Sequence, residues 1–273
     1  MLTFTLFDVG HGFCAYAVGP NGTNTLFDCG YDDEIHFCPS QYFPAIGVRT
    51  INRMVVSNFD GDHVSDLHNL RRVVNIETFF RNRSLSHDQL RTLKLQTGPL
   101  STGMQTALDM HANWIYPAPV PTDYAGVELL TFYNNYPTFT DTNNLSAVSF
   151  LKYGGTSIVL PGDMETAGWK QLLTNEALRR ELAGADVFVA SHHGRTTGYC
   201  EEVFNYCAPA VVLISDKEIV HDTQENVYTK HARGITWNGD QQQKRYVLTT
   251  RSDGHMVLTK RPGQGFHIQV SKS

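Results

Sequence analysis

The chain has 273 residues and a mass of 30.6 kDa, room for one large α/β domain or two small ones. With 41% hydrophobic residues, 11% aromatics and only 18% charged, it can bury a sizeable core, which excludes a disordered segment. Twenty-seven acids against 22 Lys and Arg give a net charge of -5, which excludes a surface basic all over and leaves room for a local basic strip.

Reading from the start, Met1-Leu2-Thr3-Phe4 lacks the basic opening of a secretory signal, and no run approaches the roughly 18 apolar residues of a membrane span. A cytoplasmic chain with no membrane partner is expected. Short β-branched and aromatic runs predict strands at Leu2 to Phe7, Phe13 to Val18, Asn24 to Phe27, Arg53 to Val56, Ile76 to Phe80, Val127 to Phe132, Ala147 to Tyr153 and Thr156 to Leu160. Further strands are predicted at Val187 to Ala190, Val211 to Ile214, Tyr246 to Thr250 and His255 to Thr259. Helix-like spacing of apolar residues marks Val64 to Val74, the stretch near Gly103 to His111, and Glu165 to Leu182. Gly19-Pro20-Asn21-Gly22 and Gly154-Gly155 read as hairpin turns, while other strands feed straight into helices. That mixture predicts two mixed sheets packed face to face with helices outside, a four-layer αββα sandwich. A single domain over 1–273 is expected, with about Arg81 to Pro121 forming an insertion or lid. The five cysteines, odd in number and without a C-x-x-C pair, are expected to be reduced and buried.

Chemistry concentrates at strand ends. Ser57-Asn58-Phe59-Asp60-Gly61-Asp62-His63 follows an apolar strand and precedes a helix, so two carboxylates, an imidazole and an amide converge above the sheet edge. Such a loop makes a divalent-metal site, or simply caps a helix through Asp60 or Asp62. Asp28 ends another strand, Asp163 a third, and His192-His193 a fourth. Each alone reads as turn chemistry; four together favour a metal site.

The order of these blocks resembles the metallo-β-lactamase superfamily, and within it the soluble hydrolase domain of the DNA-uptake protein ComEC. Phe7-Asp8-Val9-Gly10-His11-Gly12 is similar to L-D-V-G-Q-G-D, with His11 for Gln and Phe13 for the following acid. Leu26-Phe27-Asp28-Cys29-Gly30 is similar to L-I-D-T-G, and Asn58 to His63 to H-x-D-x-D-H with Asn58 for the first histidine. Asn143-Asn144-Leu145-Ser146 is similar to an N-x-x-S element, Pro161 to Glu165 to T-G-D-x-E, and Ser191 to Gly194 to S-H-H-G-S. The resemblance implies an αββα fold with metal held by Asp62, His63, Asp163 and His193. Asp163 would bridge to a second ion carried by Asp60 and Asn58, and Asp28 and His192 would support the ligands from behind. Arg195, Asn144 and Ser146 are the residues expected on substrate. His221 stands roughly where relatives place a histidine; it would protonate a leaving oxygen or hold phosphate, or it is an exposed loop residue. Asp60 or Asp62 would orient or deprotonate the attacking water.

The cofactor expected is one or two divalent ions: the carboxylates favour Mn²⁺, the histidine side Zn²⁺. The activity expected is a metal-dependent phosphodiesterase, a nuclease on DNA, with Arg195 as the best-placed phosphate contact, Lys152, Arg71-Arg72, Arg81 and Arg83 as further contacts or, more simply, a solvated surface face, and the aromatics of Phe132 to Tyr136 as a base platform or packing. A metallohydrolase of a lactone, thioester or cyclic nucleotide stands beside it, as does a non-catalytic binding module, given Asn58 and Phe13. Nothing in the sequence marks an oligomeric state.

Overall fold

The computed structural model describes residues 1–32, 37–114, 122–217, 223–237 and 240–272. The strands run in chain order as β1 (Leu2–Leu6), β2 (Ala15–Val18), β3 (Asn24–Phe27), β4 (Thr50–Val55), β5 (Asn75–Phe80), β6 (Glu128–Phe132), β7 (Val148–Tyr153) and β8 (Thr156–Leu160). They continue as β9 (Val187–Val189), β10 (Val211–Ile214), β11 (Ile235–Trp237), β12 (Asp240–Arg245), β13 (Val247–Thr249), β14 (Met256–Lys260) and β15 (Phe266–Val270). One sheet has the order β15-β14-β1-β2-β3-β4-β5, the other β13-β10-β9-β8-β7-β6, and β11-β12 form a separate hairpin.

Alternation along single strands fixes the layering. Phe27 of β3 faces one core while Leu26 faces another; on β9, Val187 and Val189 face the first and Phe188 a third, and Val211, Val212 and Leu213 of β10 repeat the pattern. The shared middle core joins Phe4, Leu6 and Val55 of the first sheet to Leu151, Ile158 and Leu213 of the second. Outside the first sheet lie α1 (Pro39–Ala45), α2 (Gly61–Val64), α3 (Leu67–Val73), α4 (His87–Gln96) and α5 (Thr102–Asn113), which contribute Phe43, Val64, Leu70, Leu90 and Leu108. Outside the second lie α6 (Thr166–Leu172) and α7 (Glu176–Ala183), with Trp169, Leu178 and Leu182 inward. This is the four-layer αββα sandwich expected.

Departures from the expected elements have local causes. The helix anticipated over Val64 to Val74 is divided near Asp66, whose carboxylate accepts from the Ser40 amide at 2.6 Å and from Ser40 Oγ at 3.0 Å. Likewise Glu165 to Leu182 is two helices, because Asn175 accepts from the Ala177 amide at 2.9 Å and starts α7. The region after Arg81 folds largely as α4 and α5. Helix α4 opens on a reciprocal Ser86–Gln89 capping box, and Leu90, Leu93, Ala107 and Leu108 lie in the outer core. Residues 115–121, which include the Pro-rich run, lie outside the described residues. All five cysteines are free thiols. Among the described residues no helix is long and apolar enough to cross a membrane.

Each sheet combines antiparallel and parallel strand pairs. In the first, β3, β4 and β5 run parallel; in the second, β8, β9, β10 and β13 do. Loops leaving the carboxyl ends of parallel strands share one rim, the usual place for a site in α/β sheets. Here that rim carries Asp28, the 57–63 loop, Asp163, His192 and His193.

Candidate metal centre

Asp28 leaves β3 with φ of 55°, a left-handed conformation that a non-glycine residue adopts at a cost of about 1–3 kcal/mol. That turn delivers its fully buried carboxylate to the 57–63 loop, where it accepts from the Ser57 amide at 2.7 Å, Ser57 Oγ at 2.5 Å and His63 Nδ1 at 2.8 Å. With Nδ1–H committed to Asp28, Nε2 of His63 faces away from it, toward Asp163 Oδ1 at 2.9 Å. Burial pushes the Asp28 carboxyl up, against the His63 and Ser57 contacts that favour the carboxylate.

The second sheet supplies the matching imidazole. His192 and His193, just past β9, also lie in the left-handed region, at φ of 49° and 55°. The turn sets His193 Nδ1 at 3.0 Å from the Ser215 carbonyl, which only accepts, so Nδ1 carries the proton and Nε2 is the atom left for the site. It lies 3.2 Å from Asp62 Oδ2 and 3.7 Å from Asp163 Oδ1. Asp163 follows β8 and is placed by its own amide, which donates to the buried Ser146 Oγ at 3.2 Å.

One ligand atom from each of Asp62, His63, Asp163 and His193 falls within 4.8 Å of all the others. The donor set is right for Zn²⁺ or a similar first-row ion: two imidazole nitrogens and two carboxylates, each imidazole backed by an oxygen acceptor on its far nitrogen. The two Nε2 atoms are buried and face only carboxylate oxygens, His63 Nε2 toward Asp163 and His193 Nε2 toward Asp62. Two ring nitrogens and two carboxylates held this close in a buried pocket need a positive charge among them, which a cation between the four residues would supply. Without one, protons do part of that work. Burial lowers the pKa of His63, but Asp163 and Asp28 outweigh it and raise it well above the ordinary range; Asp163 and Asp62 raise His193 in the same way. Asp163 is driven down by His63 and His193, and Asp62 by its bond from His193, each against the upward pull of burial.

Two hydrogen bonds to backbone carbonyls tighten the rim. The Phe13 amide donates to the Asp62 carbonyl at 3.1 Å, and Ser215 Oγ donates to the Gly12 carbonyl at 2.8 Å, so the Gly10–Phe13 turn touches both sheets' loops. Gly30 must be glycine: a Cβ there would lie 1.6 Å from the Asp62 carbonyl oxygen. Phe13, standing where the resemblance has an acid, stacks on the His63 ring at 6.2 Å.

Beside the cluster, the chemistry changes. Asp60 is not in the group of four. Its carboxylate is ion-paired with Lys94 Nζ and accepts from Asn58 Nδ2 at 3.0 Å and Thr142 Oγ1 at 3.3 Å. Asn58 also donates to Asn143 Oδ1 at 3.0 Å, and Asn143 to Glu165 at 3.2 Å. The expectation that Asp60 and Asn58 carry a second ion therefore meets a lysine already on Asp60.

Of the other anticipated residues, His192 lies 3.8 Å from Asp163 Oδ2 and 3.3 Å from Glu165. Arg195 reaches His192 Nε2 at 3.0 Å and His11 Nε2 at 3.2 Å, at the edge of the cluster. Asn144 and Ser146 are buried, with Asn144 Oδ1 accepting from the Gly168 amide at 2.7 Å, so both brace the loops internally. His221 lies outside the described residues. Lys152 pairs with Glu181 at 3.0 Å on the β7–α7 side, and Arg81 is buried on the Phe79 and His111 carbonyls, which turns both away from phosphate binding. Phe132 packs on Phe150 at 5.7 Å, which fits the packing alternative for that aromatic stretch. Lys94, Glu165, Thr142 and Ser215 were not anticipated. Only Glu165 left a trace in the sequence, as the last residue of the Pro161 to Glu165 block.

No protein-family model and no curated protein matches the chain in sequence. Among solved structures the chain is similar to a diphosphatase of the PhnP family, at 11% identity over 96% of this chain and 99% of that one, with a TM-score of 0.49. It is also similar to CmlA, a diiron β-hydroxylase from Streptomyces venezuelae, at 14% identity over 78% and 44% of the two chains and a TM-score of 0.44. A third is Zn²⁺-bound PqqB from Methylobacterium extorquens, at 16% identity over 69% and 72% and a TM-score of 0.39. Likeness at this level assigns no activity, and the side chains on the rim must carry the functional reading.

Proposed function

We propose that the protein is a metal-dependent hydrolase whose Asp62, His63, Asp163 and His193 hold a divalent ion, and that it cleaves phosphodiesters, DNA among them. The observation that carries the reading is the pair of buried imidazole Nε2 atoms, each ring fixed from behind through Nδ1, converging with two carboxylates on one point. A divalent ion bound there would act as a Lewis acid and favour a hydroxide nucleophile at neutral pH. The chain's own groups then divide the remaining work. Asp62, with its side chain 20% exposed, is the more open of the two carboxylates and is placed to orient water entering the rim. Asp28 and the Ser215 carbonyl hold the two rings in register. Arg195, between His11 and His192, offers a guanidinium to an anionic oxygen, the geometry that favours phosphate over a neutral ester.

A second reading, a metallohydrolase of small molecules such as a cyclic nucleotide, is favoured by the depth of the cluster: the side chains of His63, Asp163 and His193 are each at most 4% exposed. Protein loaded with Zn²⁺ or Mn²⁺ is to be assayed on single-stranded DNA, bis(p-nitrophenyl) phosphate, cyclic nucleotides, a lactone and a thioester. Metal-dependent cleavage of the phosphodiesters, abolished in Asp163→Ala and weakened in Arg195→Ala, is the expected result. Cleavage confined to the lactone or thioester would replace the phosphodiester assignment.

A further inference from the structure

Lys94 is the anomaly next to the cluster. Its residue is 2% exposed, on a helix whose other inward residues, Leu90 and Leu93, are apolar. Burying an ammonium is costly unless it is paired, and Lys94 is: Nζ sits on Asp60 and donates to Thr142 Oγ1 at 3.2 Å, within electrostatic reach of Asp163. Asp60 is in turn saturated, with Asn58 Nδ2 and Thr142 Oγ1 on the same carboxylate as the lysine. A divalent ion coordinated by Asp60 would have to displace this ammonium or bind beside it against like charge.

We propose that Lys94 is a built-in cation that occupies the place of a second metal ion: its ammonium holds Asp60, restricts the centre to one divalent ion, and sets a fixed positive charge beside that ion for an anionic substrate. The inference rests on the metal-binding reading above. It assigns the stretch around α4 a role in the site, through one residue that α4 carries inward.

The test is a count of ions, which needs no substrate. Full-length protein, stripped and reloaded with Mn²⁺, is analysed for metal content and by electron paramagnetic resonance, with folding checked by circular dichroism. The wild type is expected to hold one Mn²⁺ per chain with no spin coupling. Lys94→Met, which frees Asp60, is expected to hold two with a coupled signal. Lys94→Arg should stay at one, and Lys94→Met with Asp60→Asn should return to one. A folded Lys94→Met that still binds one ion overturns the role of Lys94 and leaves the metal centre standing. Two ions in the wild type do the same. If Lys94→Met does not fold, Asp60→Asn decides: one ion retained supports the inference, and loss of the ion overturns it by making Asp60 a ligand. No ion in the wild type would sink the metal-binding reading itself, and this inference with it.

Discussion

The two sides of the rim contain similar residue types and reach opposite electrostatic states. On the histidine side, Asp62, His63, Asp163 and His193 present ligand atoms to one point, the two imidazole nitrogens facing only carboxylate oxygens. On the asparagine side, Asp60 is neutralised by Lys94 and hydrogen-bonded by Asn58 and Thr142. A carboxylate in a metal-site motif is thus not a ligand by virtue of its position. What decides is whether its charge has already been answered from within the chain. The histidine side answers only part of its charge, and only through protons that a metal ion can replace.

Breaking the contact that brings the 57–63 loop against the Asp28 turn should have the largest effect. Gly30→Ala drives a methyl group into the Asp62 backbone carbonyl, which cannot yield as a side-chain tip would. A loss above about 4 kcal/mol is expected, seen as insoluble protein or a collapsed thermal transition. Next, Asp163→Ala removes the carboxylate lying against both imidazoles and should abolish metal retention in elemental analysis while the fold persists. An intact metal content would place the ion elsewhere. Asp28→Asn tests the support behind His63: metal affinity should fall roughly 10–100-fold, as for other outer ligands, measured by competition with a chromophoric chelator. The smallest effect concerns the floor below His193. Asp216, next to Ser215, is pushed up to about 6 by burial, against the pull of Arg251. Its folded-state pKa exceeds the unfolded value, so this group's stabilisation is fully present below about pH 4 and is lost as the pH rises through 6. In metal-free protein Asp216→Asn should therefore add on the order of 2 kcal/mol at pH 7 and little at pH 4, read from urea midpoints. Equal effects at both pH values would refute it.

Much of this architecture was legible in the sequence because strands write their layering into adjacent residues. Val187-Phe188-Val189 and Val211-Val212-Leu213 are apolar throughout, the pattern of strands covered on both faces, and both lie inside the sandwich. The four clustered ligands were legible because they follow strand ends that, taken one at a time, read as turn chemistry and only together point to a metal site. What stayed hidden depended on distance along the chain. Lys94 and Asp60 are brought together by how α4 packs on the first sheet, and no local pattern encodes that. Ser215 contributes only a carbonyl, which every residue has. The left-handed turns at Asp28, His192 and His193 are equally unmarked, since Asp and His there look like ordinary loop residues.

The strand order also has a consequence for how the molecule is made. β1 lies between β2 and β14, and β15 completes that sheet, so the first sheet closes only with the last strands of the chain. The second sheet, by contrast, draws all its strands from between Glu128 and Thr249. During synthesis the second sheet has all its strands before the first does, while β1 waits with one unpaired edge through some 250 residues of translation, a long-range closure of the kind that slows folding. Truncation just before Met256 would therefore leave every rim residue in the chain and still expose Leu2, Phe4 and Leu6 on an open edge, a route to aggregation rather than to a smaller enzyme.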